Sequence, residues 1–430
     1  MLNFSPLNRK KVEASFEGGS ITSNGGLLLL RETDKRLKLT AKISKCITDS
    51  RKSCLVQHDI KTLLRQRVYA ISIGDEDAND QDKLRDDICF QTCVDQESSL
   101  ASSATISRFE NSIDRETLKK ISIEMVESFI DNQQTAPEEL VLDFDPTDNR
   151  IYGNQENKHY HGYYKNHCYL PLHVFCGDQL IVSMLRPSDI DGAKYAGAIL
   201  KLLVERFREA WSDVRIVFRG DCGFARTHIL HWCERNNVDY VVGMPSNVRL
   251  QALAKTWIEK AEDKFKATGE KQKLFADFNY AAKSWCTTRR IVVKAEHNSN
   301  GANNRFVVTN LSELAKIIYT QKYCMRGDME NHIKQLKLDL HSDRNSCSDF
   351  YANYFRLLLS SLAYILITEL KNTHLNSTKL EKAYCGTIQL KLFKIGAVVI
   401  KNTRRVKFFL SSAYTMQKEF ITAVQSLVPT

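Results

Sequence analysis

The sequence has 430 residues, 43% of them hydrophobic and 26% charged, which fits a globular protein long enough for two to four domains. No uninterrupted apolar stretch approaches the ~18–20 residues of a membrane span, and the opening MLNFSPLNRKKVE lacks the apolar core of a signal peptide. We therefore expect an intracellular protein without a membrane partner. Its net charge of +10, from 61 Lys and Arg against 51 Asp and Glu, favours a polyanionic partner.

The first part of the chain, residues 1–136, is predicted to be a mainly helical domain. Stretches such as LLLLRETDKRLKLTAKI place apolar residues at helical spacing, and Pro137 marks a break after which the period changes. In residues 137–245, short apolar runs typical of strands alternate with helical patterns in the order β-β-β-α-β-α-β. This order predicts an α/β domain with a mixed sheet flanked by helices.

Residues 246–320 interrupt that order with a charged helical stretch and two strand-like stretches, which predict an inserted α+β subdomain. Residues 321–380 then complete the α/β domain with a helix from about Tyr323 to Leu340 and a second, apolar helix. Residues 381–430 form a basic carboxy-terminal segment, in which the pattern from Gln389 to Leu410 predicts a β-ribbon and a helix is expected after it.

Carboxylates stand where predicted strands end. Asp143 and Asp145 lie two apart in LDFDPT, so strand alternation points both to one face, and Asp221, in RGDCGF, stands where the strand RIVF passes into a loop. Carboxylates at strand ends of one sheet can converge on Mg²⁺, which prefers oxygen ligands. A single Asp at such a position is more often a helix cap or a turn former.

The predicted helix in YCMRGDMENHIKQLK gathers polar residues on one face. At about 100° per residue this face carries Tyr323, Arg326, Glu330, Lys334 and Lys337. A solvated face with ion pairs at i,i+4 would look the same, and each such pair contributes only a few tenths of a kcal/mol. An acidic metal ligand flanked by cations that hold phosphates is the alternative.

These motifs together resemble the insertion-sequence DDE transposases. The spacing Tyr-x2-Arg-x3-Glu-x6-Lys is similar to their signature, LDFDPTD resembles the strand of their first aspartate, and RGDCGF resembles the motif of their second. With LRP at 185–187 and the ending KLFKIGAVVIKNTRRV, the sequence most resembles the group known as the thirteen-eighty family. The resemblance covers nearly the whole chain.

The resemblance implies an RNase H-like fold, with the insertion between the second Asp and the Glu. It implies a metal-binding catalytic triad of Asp145, Asp221 and Glu330, with Asp143 as the alternative first ligand. Mg²⁺ would be the cofactor, and Mn²⁺ would substitute for it. The partners would be double-stranded DNA, at the element ends and the target, and a second copy of the chain on that DNA, in a cytoplasmic, nucleoid-associated location.

Further residues are candidates for DNA binding. Tyr323, Arg326, Lys334 and Lys337 would hold phosphates beside the triad. In the insertion, Trp285 stands near Arg289 and Arg290, a combination that suits a base drawn out of the duplex, although such a Trp is more often part of a core. In the ribbon, the candidates for contact with the DNA backbone are Lys391, Lys394, Lys401, Arg404, Arg405 and Lys407.

The sequence thus predicts a DDE transposase that binds the inverted-repeat ends of its element through residues 1–136, cleaves DNA and joins the 3′-hydroxyl ends to a target by cut-and-paste. Two alternatives remain: an RNase H-like nuclease without strand transfer, and a DNA-binding derivative without catalysis. The presence of all the acids of the motif, Asp145, Asp221 and Glu330, argues against the second alternative.

Overall fold

The structure is a computed structural model and describes residues 1–428. In chain order the strands are β1 (Leu2–Leu7), β2 (Lys10–Ala14), β3 (Ile21–Thr22), β4 (Glu139–Pro146), β5 (Asn149–Arg150), β6 (His159–His161), β7 (Asn166–Tyr169), β8 (Leu172–Cys176), β9 (Gln179–Met184), β10 (Arg215–Gly220), β11 (Asp239–Met244), β12 (Gln272–Tyr280), β13 (Arg289–Asn298), β14 (Gly301–Ala302), β15 (Arg305–Thr309), β16 (Ala397–Lys401) and β17 (Val406–Leu410).

The α-helices are α1 (Leu27–Leu37), α2 (Leu39–Lys45), α3 (Ile60–Ser72), α4 (Gln81–Leu84), α5 (Ile88–Cys93), α6 (Ser103–Glu110), α7 (Arg115–Asp131), α8 (Ala196–Ala210), α9 (Thr227–Arg235), α10 (Val248–Leu253), α11 (Lys255–Thr268), α12 (Ala315–Ile317), α13 (Arg326–Lys334), α14 (Phe350–Glu369), α15 (Cys385–Ile388) and α16 (Gln417–Leu427). Short π-helical segments occur at Ile318–Tyr323, Gln335–Asp339, Leu370–His374 and Gln389–Phe393.

The described chain divides into two compact units. The central unit contains Ser122–Lys334 and Asp343–Leu357, and the terminal unit contains Met1–Ile121, Gln335–Ser342 and the chain from Leu358 onward.

The central unit is built on a large mixed sheet, which among residues 1–428 has nine strands in the order β12-β13-β15-β11-β10-β4-β8-β9, with β14 paired to β13. Strands β4, β10 and β11 are parallel to one another, whereas β8 and β9 on one side and β15, β13 and β12 on the other run antiparallel to their neighbours. The predicted mixed sheet flanked by helices is therefore confirmed.

Alternation along the strands gives the sheet two different faces. Leu142 and Phe144 of β4 and Phe218 of β10 lie in the larger apolar core with α8 and α9. Val217 of β10, which points the other way, belongs to a smaller core with Tyr319 of the π-helical segment. Because side chains alternate with period two, Asp143, Asp145 and Arg219 lie on this second face.

Two features of residues 246–340 differ from the sequence prediction. The strands of residues 246–320 extend the central sheet, because β15 pairs with β11 and β13 pairs with β15. The helix expected from Tyr323 to Leu340 is interrupted by a turn at Cys324–Met325 and becomes π-helical after Lys334.

The terminal unit combines helices α1–α6 with the ribbon near the carboxy terminus. Asp59 caps α3 by accepting a hydrogen bond from the Thr62 backbone N–H at 2.7 Å, as the first turn of a helix requires. Strand β3 pairs with β16, which pairs with β17. The ribbon begins at Ala397, later than predicted, because the residues from Gln389 to Phe393 are helical and bury Leu392 and Phe393.

One helical stretch, Phe350–His374, is long and apolar enough to cross a membrane by length and composition, and 78% of its most apolar window is buried inside the protein. The core helix of a water-soluble protein meets the same criterion. It is therefore weak evidence for a membrane span.

Candidate active site

The first aspartate of β4, Asp143, forms a buried ion pair. Asp143 is 2% exposed, and Arg219 of the neighbouring strand grips both of its carboxylate oxygens, Nη2 donating at 2.6 Å. The two residues are direct partners in the parallel register of β4 and β10. Arg219 also donates through Nη1 to the carbonyl oxygen of Lys322 at 2.6 Å, which ties the π-helical segment to the sheet.

The second aspartate of β4 has a different environment. The Asp145 side chain is 15% exposed, and its Oδ2 lies 3.8 Å from Nη1 of Arg326. Burial raises the pKa of the Asp145 carboxyl to about 7; Arg326 opposes the rise, and the negative charges of Asp221 and Glu330 add to it. The carboxylates of Asp221 and Glu330, the two other predicted triad members, therefore lie near enough to affect the pKa of Asp145.

Asp221 is the first residue after β10 and begins a short turn. Its carboxylate accepts a hydrogen bond from the Gly223 N–H at 2.8 Å and so caps the 3-10 helix Cys222–Phe224. The neighbouring strand β11 must approach this turn closely. A Cβ on Gly243 would lie 2.6 Å from the hydroxyl of Tyr323 and 2.9 Å from the Cys222 nitrogen, so a glycine is needed there.

The helix α13 brings the remaining residues of the site. Arg326 donates through Nη2 to Oε1 of Glu330 at 2.9 Å, and the Glu330 side chain is 50% exposed. Burial raises the pKa of the Tyr323 hydroxyl, and Arg326 opposes this rise. Tyr323, Arg326 and Glu330 thus lie together with Asp145 although the helix is broken between Tyr323 and Arg326.

The residue types suit a divalent cation, since carboxylate oxygens are hard ligands. Among residues 1–428, no group of three or more His, Cys, Asp or Glu side chains is arranged to hold a metal ion. The positive charge beside these acids comes from Arg326, whose guanidinium lies 3.8 Å from Asp145 and 2.9 Å from Glu330. Burial is the main cause of the raised pKa of Asp145, and the negative charges of Asp221 and Glu330 add to it, so a bound cation would offset the repulsion between the acids. By donor chemistry, the residues fit a divalent cation.

Comparison with known proteins decides the family. A family model described as Transposase DDE domain group 1 matches residues 4–430. The chain belongs to this family. It is therefore an enzyme of the nucleotidyl-transferase type, and DDE transposases generally use divalent metal ions.

Other comparisons add less. No curated protein matches the sequence. Among solved structures, the chain is similar to one described as a cryo-EM structure of piggyBac transposase synaptic complex with hairpin DNA, with a TM-score of 0.41 and 12% sequence identity over 95% of this chain and 86% of that one.

The cations that follow Glu330 in this DDE transposase differ in position. Lys334 is exposed at the end of α13, in the central unit. Lys337 is half-buried in the π-helical segment Gln335–Asp339 of the terminal unit. The broken helix therefore does not continue the single straight stripe that the sequence predicts.

The predicted cluster in residues 246–320 has a structural role. Trp285 packs against the larger core and has the guanidinium of Arg289 over its ring, 4.7 Å from the centroid. Arg289 is buried and donates to both oxygens of Glu234, at 2.6 and 2.9 Å. Arg290 donates to Asp277 at 3.0 Å and to the carbonyl oxygen of Leu311 at 2.7 Å. The prediction that Arg289 binds DNA does not fit this burial.

The basic residues of the carboxy-terminal segment also divide. Arg404, Arg405 and Lys407 are exposed at the end of the ribbon. Lys394 pairs with Asp75 at 3.5 Å, and Lys401 donates to the Glu97 carbonyl oxygen at 2.9 Å. Lys391 is exposed in the helical segment that precedes the ribbon.

Sequence inspection missed Arg219, Lys322 and Gly243. Arg219 carried a usable signal, because it stands two residues before Asp221, where the alternation of an extended chain directs both side chains to one face. The roles of Lys322 and Gly243 depend on contacts with distant parts of the chain and left no local pattern.

Proposed function

We propose that this chain is a cut-and-paste transposase that cleaves DNA at the inverted-repeat ends of its element and joins the 3′-hydroxyl ends to target DNA. The observation that carries the proposal is that Asp145 at the end of β4, Asp221 after β10 and Glu330 on α13 lie around Arg326. The guanidinium of Arg326 is 3.8 Å from Asp145 and 2.9 Å from Glu330. The family match over residues 4–430 supports the same activity.

An RNase H-like fold is part of the proposal. The order β9-β8-β4-β10-β11, with β8 antiparallel to both β4 and β9 and with β4, β10 and β11 parallel, is the arrangement expected of such a domain. The spacing of Tyr323, Arg326, Glu330 and Lys337 further supports an insertion sequence of the thirteen-eighty family.

In this mechanism Asp145, Asp221 and Glu330 would hold divalent cations, with Mg²⁺ proposed and Mn²⁺ as a substitute. When bound, such ions would supply charge stabilisation for the oxygens at the reacting phosphorus. Asp143 is excluded as a ligand in this proposal because Arg219 already grips both of its oxygens.

The remaining residues position the DNA. Arg326 is fixed beside Asp145 and Glu330, so its planar fork can hold a phosphate oxygen next to the reacting one. Tyr323 can donate a hydrogen bond from its hydroxyl to a phosphate oxygen. Lys334 provides an exposed positive charge at the end of α13. We further propose that residues 1–136 bind the element ends and that two chains act on paired ends, since each site serves one end.

A single assay on purified protein separates the candidates. A labelled duplex carrying the element end is incubated with Mg²⁺ and a target plasmid, with EDTA as the metal-free control, and binding, nicking and strand joining are scored separately. We expect all of them with Mg²⁺ and only binding with EDTA. Nicking without joining would favour the nuclease alternative, and binding alone in Mg²⁺ would favour a derivative without catalysis.

A further inference from the structure

A cavity of about 700 Å³ lies between the first turns of α8 and α9, outside the group of acidic residues. The side chains that give it its chemistry are Lys194, Tyr195, Lys201, Arg226 and Trp232. None of these residues belongs to the sequence motifs of the transposase signature.

The cavity lies at the same end of strands β4 and β10 as the acids. On one side, a Cβ on Gly192 would lie 3.4 Å from the Pro146 ring, and Pro146 directly follows Asp145. On the other side, Arg226 stands in the loop after Asp221 and donates to Asp191 at 2.5 Å. A DNA strand at the acids would therefore pass close to the cavity.

The cavity wall combines an exposed ring with strained backbone. Tyr195 is 46% exposed and has φ of 69°, a left-handed conformation that is uncommon for an aromatic residue. Such strain persists where the surrounding structure imposes it, often at functional sites. Trp232 forms a half-buried part of the wall. Gly197 of α8 lies close to α9, since a Cβ there would be 3.4 Å from Cγ1 of Ile229.

The charges around the cavity favour an anion. The lining holds three cations, Lys194, Lys201 and Arg226, and one carboxylate, that of Asp191, with which Arg226 pairs. Lys194 lies over the Tyr195 ring, with Nζ 5.6 Å from the centroid, so a cation stands beside the ring. Lys201 pairs with the exposed Glu205 at 3.8 Å and is itself more than half exposed, so its ammonium group remains accessible. Rings for stacking beside cations for phosphate are the combination that binds single-stranded nucleic acid.

We propose that this cavity binds one unpaired nucleotide of the DNA strand next to the cleavage site, with its base against Tyr195 and Trp232 and its phosphate near Lys194, Lys201 and Arg226. The proposal rests on the proposed DNA-cleaving function. It assigns the unpaired nucleotide to a cavity distinct from Trp285, whose ring packs on Arg289 and the core.

The test compares a blunt element-end duplex with the same duplex carrying a four-nucleotide single-stranded overhang that contains 2-aminopurine. Anisotropy gives the affinity for each duplex, and 2-aminopurine fluorescence reports stacking. We expect the wild-type protein to bind the overhang duplex at least about fivefold more tightly and to quench the probe. Tyr195→Asn should lose both effects and keep its affinity for the blunt duplex, whereas Tyr195→Phe should retain both.

Tyr195→Asn should fold normally, because Asn tolerates the left-handed conformation better than Tyr does, and thermal unfolding checks this. The matched control is Leu202→Asn, at an exposed position of α8 that does not line the cavity. Blunt-duplex binding with no overhang preference, a preference that survives Tyr195→Asn, or an equal loss in Leu202→Asn would overturn the cavity proposal alone. Failure of the wild-type protein to bind either duplex would overturn the proposed function as well.

Discussion

Asp143 and Asp145 lie two residues apart on one strand and point to the same face, yet they occupy opposite kinds of environment. Asp143 is buried and both of its oxygens are gripped by Arg219. Asp145 lies 3.8 Å from the Arg326 guanidinium, and the negative charges of Asp221 and Glu330 act on it.

The difference separates a structural carboxylate from a chemically available one. A buried acid with a bidentate partner is satisfied within the protein and stabilises the position of that partner. A buried acid close to other acids keeps its affinity for a cation, because bringing like charges together is unfavourable until a positive charge joins them.

The largest effect is expected on catalysis. Asp145→Ala, Asp221→Ala and Glu330→Ala should each reduce strand cleavage by about 10³-fold or more, because members of a catalytic unit are not additive. The triple variant should be almost no worse than each single one, and element-end binding should survive in all of them. If Asp145→Ala cleaved DNA normally while a folded Asp143 variant did not, the assignment of the first ligand would be wrong.

The next effect concerns stability. Asp143→Ala leaves Arg219 buried without its partner, so the free energy of unfolding should fall by about 3–5 kcal/mol. Urea unfolding measures this change, and Asp143→Met combined with Arg219→Met should recover much of it because both charges are then absent. If Asp143→Ala lowered the free energy of unfolding by less than about 1 kcal/mol, the ion pair with Arg219 would not be important for stability.

Asp145 should have the opposite effect on stability in metal-free protein. Its pKa of about 7 in the folded chain exceeds the ordinary value of 3.8, so the folded state binds more protons between those pH values and stability falls as the pH rises through that range. Asp145→Asn should remove this dependence and raise the free energy of unfolding at pH 8 by about 1–3 kcal/mol.

Urea unfolding in EDTA at pH 5 and pH 8 measures the effect of Asp145→Asn. Asp263→Asn, at an exposed position of α11, is the control and should leave the pH dependence unchanged. An Asp145→Asn protein that is less stable than the wild type at pH 8 would contradict the repulsion between the acids.

The smallest effect is expected at the ribbon, where the charges are solvated. Changing Arg404, Arg405 and Lys407 to Gln should lower the slope of log affinity against log salt by about one unit for each DNA phosphate that the variant no longer neutralises. The control changes Lys255, Lys260 and Lys264 of α11, which are also exposed. Unchanged affinity and slope in the ribbon variant would make the ribbon an ordinary solvated surface.

Local pattern in the sequence determined much of the central unit. Short apolar runs in LVLDF and RIVF predicted the strands β4 and β10, and their ends placed Asp145 and Asp221 at one edge of the sheet. The helical spacing that follows placed Tyr323, Arg326 and Glu330 together. These features depend on residues close in the chain, so the sequence alone carried them.

Only the tertiary structure decided which charged residues are available. Arg219 reaches Asp143 through the register of two strands 76 residues apart, and Arg289 reaches Glu234 across 55 residues. The helix is likewise interrupted at Cys324–Met325, next to Lys322, whose carbonyl oxygen accepts a hydrogen bond from Arg219. The periodicity of apolar residues arises from neighbours in the chain, so the sequence determined at which strand ends and on which helix the acids stand. Burial and ion pairing arise from residues distant in sequence, so only the fold determined which acid is held by an arginine and which can bind a cation.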